Sequence, residues 1–69
     1  MNPLKQLHEQ GMSYEDMAQK TGLHIQSIYS ISKMTNEEIL NSVKVITAIK
    51  LHEELGIDWK FLFSEYNKD

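Results

Sequence analysis

Hydrogen-bonding side chains recur at helical spacing in the segment HIQSIYSISK, residues 24–33. Steps of three and four residues put them on one face of a helix. They are Gln26, Tyr29, Ser30 and Lys33. Their amide, hydroxyl and ammonium groups donate or accept hydrogen bonds, which suits binding to the polar groups of another molecule. An ordinary solvated helix surface has a similar composition and is the alternative interpretation.

Side chains that could carry out catalysis or hold a metal ion are sparse. His8, His24 and His52 are far apart in sequence and fall on three predicted helices. HExxH motifs, paired cysteines and Gly-rich phosphate loops are all missing from the sequence. Because the chain contains no cysteine, disulfides and zinc sites with cysteine ligands are excluded. The sequence therefore predicts a protein that is not an enzyme and that uses neither a cofactor nor a metal.

The charge of the chain is acidic and unevenly distributed. The net charge is −3; residues 1–34 carry three lysines and three acids, whereas residues 35–69 carry four lysines and seven acids. All the basic residues are lysines, so the chain lacks the planar guanidinium that pairs bidentately with guanine. Any nucleic acid bound by this protein would be held weakly, in a salt-sensitive way, by its neutral N-terminal half.

The pattern of caps and breakers predicts a single all-α domain over residues 1–69. Asn2-Pro3, Ser13 and Asp58 are typical of helix starts, and Gly22 and Gly56 of helix ends. Apolar and polar residues do not alternate as they do in strands. Five helices are predicted, at about residues 3–10, 14–21, 24–33, 36–55 and 59–66.

Apolar residues predict both a core and a second apolar surface. The expected core residues are Ala18, Leu23, Ile28, Ile31, Leu51 and Leu55. The long fourth helix is apolar over a wider arc than one buried stripe needs. These additional apolar residues predict a homodimer interface at Val45, Ile49, Trp59 and Phe63. A bent helix that wraps around its own core is an equally good explanation.

Residues 14–33 resemble the helix-turn-helix unit of phage repressors and Cro proteins, the lambda repressor-like family. The matching positions are Met17-Ala18 in the first helix, Gly22-Leu23 in the turn, and Ile28 and Ile31 in the second helix. AQKTG followed by QSI, and LGIDWKFLF near the C-terminus, extend the similarity over about residues 4–63. The resemblance implies a compact five-helix domain with a central helix-turn-helix.

The resemblance also implies a sequence-specific transcriptional regulator that binds double-stranded DNA. Its third helix would enter the major groove and contact base edges near its N-terminus. The residues expected to contact bases are Gln26, Ile25, Ser27 and Ser30. Those expected to contact phosphates are Tyr14, Lys20, His24 and Lys33. Gln26 is the main candidate, because a glutamine amide can pair bidentately with adenine.

A protein-interaction module is the alternative from a different functional class. A helix-turn-helix domain that has lost its phosphate contacts could instead bind another regulatory protein, as an antirepressor does, through Ile25 and Tyr29. The sequence shows neither a signal peptide nor an apolar run long enough for a membrane span. We expect a cytoplasmic protein of a bacterial or phage-infected cell, without a membrane partner.

Overall fold

The computed structural model describes residues 2–60, which form five α-helices and no strand. The helices are α1 Pro3–Glu9, α2 Tyr14–Thr21, α3 Ile25–Ser32, α4 Asn36–Ser42 and α5 Val45–Leu55. The expected all-helical architecture is thereby confirmed for this part of the chain. The predicted last helix lies mostly outside the described residues, as does Phe63. The cap expected for this last helix is present, since the Asp58 carboxylate accepts a hydrogen bond from the Lys60 backbone N–H at 2.9 Å.

Side-chain caps define where α2 and α4 begin. The Ser13 hydroxyl accepts a hydrogen bond from the Asp16 N–H at 3.0 Å at the start of α2. At α4, Thr35 and Glu38 form a reciprocal capping box, with distances of 2.9 and 3.2 Å. Each cap satisfies an N–H group that has no partner within its own helix. Gly22 ends α2 in the left-handed conformation (φ 73°), which glycine adopts without steric cost.

The prediction of one long helix over residues 36–55 is wrong. Val43 and Lys44 are extended, with ψ angles of 128° and 150°, and they separate α4 from α5. Ile39 and Leu51 are both buried in the same core. In one straight helix, two residues twelve positions apart would point about 120° away from each other. The break therefore lets both side chains reach the core.

The core lies where α2 packs against α3 and α5, and where α1 packs against α3. Its buried apolar residues are Leu4, Met17, Ile28, Ile31, Ile39, Leu51 and Ile57. The prediction was right for Ile28, Ile31 and Leu51. The other three predicted core residues, Ala18, Leu23 and Leu55, are only half-buried and pack at its edge. Met17, the neighbour of Ala18 in α2, takes the fully buried position because its longer side chain fills the space between the helices.

The buried side chain of Asn2 joins the start of α1 to the end of α3. Its Oδ1 accepts hydrogen bonds from the N–H groups of Leu4 and Lys5, at 2.9 and 3.1 Å. Its Nδ2 donates to the carbonyl oxygens of Ile31 and Met34, at 2.6 and 2.8 Å. One amide group thus caps α1 and also satisfies two carbonyls at the C-terminal end of α3. Only a side chain with both an acceptor and a donor can do this.

We expect Asn2→Asp to destabilise the fold even though aspartate is an equally good N-cap. The carboxylate keeps the acceptor for α1 but points a second oxygen at the carbonyls of Ile31 and Met34. The Ile31 carbonyl still accepts from the Met34 N–H at 3.1 Å, whereas the Met34 carbonyl loses the hydrogen bond that Asn2 donates to it. A buried polar group without a partner costs about 1–3 kcal/mol. Urea denaturation followed by circular dichroism measures the change, with Asn2→Ala as the variant that lacks both functions. Wild-type stability in the aspartate variant would show that only the cap matters.

Candidate nucleic-acid interface

A groove runs between the exposed face of α3 and the junction of α4 with α5; we call it the polar groove because six of its nine lining residues have polar side chains. It has a volume of about 390 Å³. Its lining residues are Gln26, Ser27, Ser30, Ile31, Met34, Ser42, Val43, Lys44 and Thr47. The structure thus brings three of the four residues expected to contact bases, Gln26, Ser27 and Ser30, into one exposed surface. Ile25, the fourth, is half-buried at the first position of α3 and does not line the groove.

A three-residue turn, residues 22–24, sets the start of α3. The Thr21 hydroxyl is buried; it donates to the Met17 carbonyl at 2.7 Å and accepts from the Leu23 N–H at 3.2 Å. The next residue, His24, is the N-cap of α3, and its Nδ1 accepts from the Gln26 N–H at 3.1 Å. Gln26 is therefore the second residue of α3. Its backbone N–H is bonded to the His24 cap, and its side chain lines the polar groove.

Lys44 and Thr47 are groove residues that the sequence analysis missed. Both lie near the start of α5, which begins only because the chain breaks at residues 43 and 44. Lys44 occupies the N-cap position of α5 without making a side-chain capping bond. The sequence contains only a weak signal for this break. Asn41, Ser42 and Val43 are all poor helix formers, which favours a break at this point. Lys44 adds a cation to the rim of the groove.

Tyr14 belongs to a second surface, formed by α1, α2 and α3. Its ring stacks on that of His8, with centroids 4.2 Å apart and planes 13° apart. It also meets the Tyr29 ring edge-on at 5.5 Å. Tyr29 is nevertheless 42% exposed, more than a packing residue would be. Tyr14 and Tyr29 line a cleft of about 710 Å³ that also includes Lys5 and Lys33.

The four residues expected to contact phosphates are therefore divided. Tyr14 and Lys33 share the cleft beside the aromatic rings. Lys20, in the last turn of α2, and His24, in the turn, are exposed but line neither the cleft nor the polar groove. A ligand that contacted all four would have to extend across the surface from α1 to the start of α3. A nucleic-acid backbone is long enough to do so, whereas a single small anion is not.

An apolar groove lies beside the N-terminal part of α5 and has a volume of about 320 Å³. Its lining residues are Ile39, Leu40, Val43, Val45, Ala48, Ile49, His52 and Trp59. Val45, Ile46 and Ile49 are 76%, 62% and 46% exposed. The Trp59 indole donates to the Ala48 carbonyl at 2.9 Å, which fixes that side of the groove. Three of the four residues predicted for a dimer interface, Val45, Ile49 and Trp59, thus lie together.

Residues 2–60 offer no cluster of three histidine or acidic side chains that could hold a metal ion. Their longest helix, α5, has 11 residues, too short to cross a membrane, which takes about 20.

Comparison with known proteins adds no relative: no family model, no curated protein and no solved structure matches the chain.

Proposed function

We propose that this protein is a small sequence-specific DNA-binding regulator of the phage repressor and Cro type, with a lambda repressor-like fold. The observation that carries the proposal is the grouping of Gln26, Ser27 and Ser30 on the exposed side of α3, next to Lys44. Two eight-residue helices joined by a three-residue turn with a left-handed glycine also fit a helix-turn-helix unit.

In the proposed complex, α3 lies in the major groove with its N-terminal end nearest the base pairs. Gln26 pairs with adenine through its amide, which offers one donor and one acceptor. Ser27 and Ser30 bond bases or phosphates, and the partly exposed part of Ile25 packs against a thymine methyl group. Because α3 has only eight residues, this set accounts for most of the side chains that it can present to DNA.

Phosphates on the two sides of the DNA major groove would be held by separate parts of the protein. Lys44 approaches one strand from the start of α5, and Tyr14 and Lys33 approach the other from the aromatic cleft. Lys20 and His24 add contacts near the turn. With so few cations and a net charge of −3, one domain binds weakly and salt reduces its affinity further.

We further propose that the protein acts as a homodimer through the apolar face of α5. Val45, Ile46 and Ile49 are exposed on one face, and burying them in a second copy removes apolar surface from water. A two-fold arrangement would place two α3 helices about one DNA turn apart, roughly 34 Å. Two weak sites on one duplex then reinforce each other.

A second candidate is a module that binds another regulatory protein. The observation in its favour is the exposure of Tyr29 beside the half-buried Ile25, on the same helix as the proposed reading residues. In this alternative the acidic C-terminal half repels DNA and the partner protein covers Ile25 and Tyr29. Selection from random duplexes at low salt distinguishes the two functions, because only the DNA-binding regulator enriches a sequence.

Gln26→Ala should weaken binding to the enriched duplex by roughly 1–3 kcal/mol per half-site and leave binding to scrambled DNA nearly unchanged. Fluorescence anisotropy titration measures both affinities. Gln19→Ala, which removes an exposed glutamine from α2 outside the polar groove, is the matched control and should bind like wild type. Equal binding of the enriched duplex by Gln26→Ala and wild type would refute the role of Gln26.

Lys44→Ala should weaken binding to enriched and scrambled duplexes by similar factors, because phosphate contacts carry no sequence information. The slope of log affinity against log salt should become shallower by about one unit per lost contact. Lys50→Ala removes an exposed lysine of α5 outside the polar groove and should leave the slope unchanged. A wild-type slope in Lys44→Ala would exclude this lysine from the interface.

Ile49→Glu should convert the dimer into a monomer without unfolding it, since the side chain is already 46% exposed. Sedimentation velocity at high micromolar concentration, together with circular dichroism, separates dissociation from unfolding. Ile49→Leu keeps the apolar surface and should remain dimeric. If wild-type protein sediments only as a monomer, the proposed dimer does not exist.

A further inference from the structure

The N-cap of α3 is a histidine, and its ring takes part in the cap. His24 is extended (φ −65°, ψ 141°), and its Nδ1 accepts a hydrogen bond from the Gln26 N–H at 3.1 Å. Its carbonyl oxygen accepts from the N–H groups of Ser27 and Ile28, at 2.9 and 3.2 Å. The first turn of α3, which contains Gln26, therefore depends on the position of this one residue.

The direction of that hydrogen bond fixes the protonation state of the ring. The Gln26 amide is the donor, so Nδ1 must carry a lone pair and the only ring proton must be on Nε2. A protonated imidazolium has N–H groups at both positions and cannot accept the bond. The other side-chain caps described above, Asn2, Ser13 and Thr35, do not titrate near neutral pH. Of these four cap residue types, only histidine has a side chain that commonly gains a proton near neutral pH.

Among residues 2–60, no carboxylate forms a hydrogen bond with the ring that would compensate for its protonation. Among residues 2–60, the hydrogen bond made by the ring is to the Gln26 amide. The positive end of the α3 dipole also opposes a cation at this position. Other titratable side chains lie on α2, α3 and α5 or next to these helices. They are Tyr14, Glu15, Asp16, Lys20, Tyr29, Lys33, Lys44, Lys50, His52, Glu53 and Glu54. The nearest in sequence, Lys20, is a cation, and Glu15 and Asp16 are at the opposite end of α2.

We infer that His24 is a pH-sensitive positioning residue: its neutral ring holds the first turn of α3, and its protonation releases that turn. The direction of the pH dependence follows from the direction of the hydrogen bond. The cap is present while Nδ1 carries a lone pair and is lost when Nδ1 gains a proton. A lost side-chain cap changes the helix equilibrium by about fivefold. This stabilisation is local, because the core residues Ile28 and Ile31 still hold the rest of α3.

The consequence for recognition rests on the proposed DNA-binding function. A loosened first turn places Gln26 less well for base contact, so affinity for the enriched duplex falls at low pH. The added positive charge on His24 meanwhile favours any phosphate, whatever the sequence. Both effects lower the ratio of specific to random affinity. A simple phosphate contact by His24 would strengthen both kinds of binding on acidification and leave the ratio unchanged.

The test compares wild type with His24→Asn and His24→Ala at about pH 5.5 and 8, on either side of the histidine range. Asparagine caps helices well and does not titrate in this range, and alanine does not cap at either pH. All three proteins keep His8 and His52, so pH effects from these two residues are common to all. In the free protein, NMR gives the protection factor of the Gln26 amide. Anisotropy titration gives the affinity ratio for enriched and scrambled duplexes.

We expect the Gln26 protection factor and the affinity ratio of wild type to fall by about three- to tenfold on acidification. Both should stay constant in His24→Asn and stay low in His24→Ala. An equal fall in His24→Asn, or unchanged Gln26 protection in wild type, would overturn the inference. If no duplex is enriched, the proposed function fails, but the free-protein measurement still decides the inference about His24.

Discussion

The position of α3 depends on the burial of two isoleucines. An isolated helix of eight residues is marginal in water, because nucleation fixes several residues before hydrogen bonds compensate. Ile28 and Ile31 supply the missing free energy by packing into a core that also contains Met17 and Leu51. These side chains fix which face of α3 points outward. Base reading by Gln26 would therefore follow from apolar contacts on the opposite side of the same helix.

The polar contacts at the two ends of α3 differ in their burial and in their response to pH. At its C-terminal end, Asn2 donates one buried and one partly buried hydrogen bond to carbonyl oxygens, and neither bond changes with pH. At its N-terminal end, the exposed ring of His24 makes one hydrogen bond, and solvent competes with it. Removing a buried contact leaves unpaired polar groups, whereas removing an exposed one lets water replace it. The two ends therefore differ in stability, and the weaker one carries the proposed reading residue.

Local signals in the sequence predicted the helix starts, and tertiary packing decided what they missed. Ser13, Gly22 and Gly56 act through bonds or torsions within a few residues, so their types were sufficient. The break at Val43 and Lys44 has no glycine or proline, and the low helix propensity of the preceding residues is a weak signal. The shared burial of Ile39 and Leu51 is what requires it. The same limit applies to the site. The spacing of Gln26 and Ser30 predicted their common face, but their proximity to Lys44 depends on how α5 packs.

The two faces of α5 show how one short chain could read DNA and dimerise at once. Thr47 and Ile49 are two residues apart, so their side chains point about 160° away from each other. Thr47 lines the polar groove, and Ile49 lines the apolar one. Val43 is the one residue that lines both grooves, so a second copy centred on Ile49 would cover mainly residues that do not line the polar groove. This separation matters because an acidic chain with few cations gains little from each phosphate contact. Affinity for DNA would then come mainly from presenting two α3 helices to one duplex, so that the second binds at a high effective concentration.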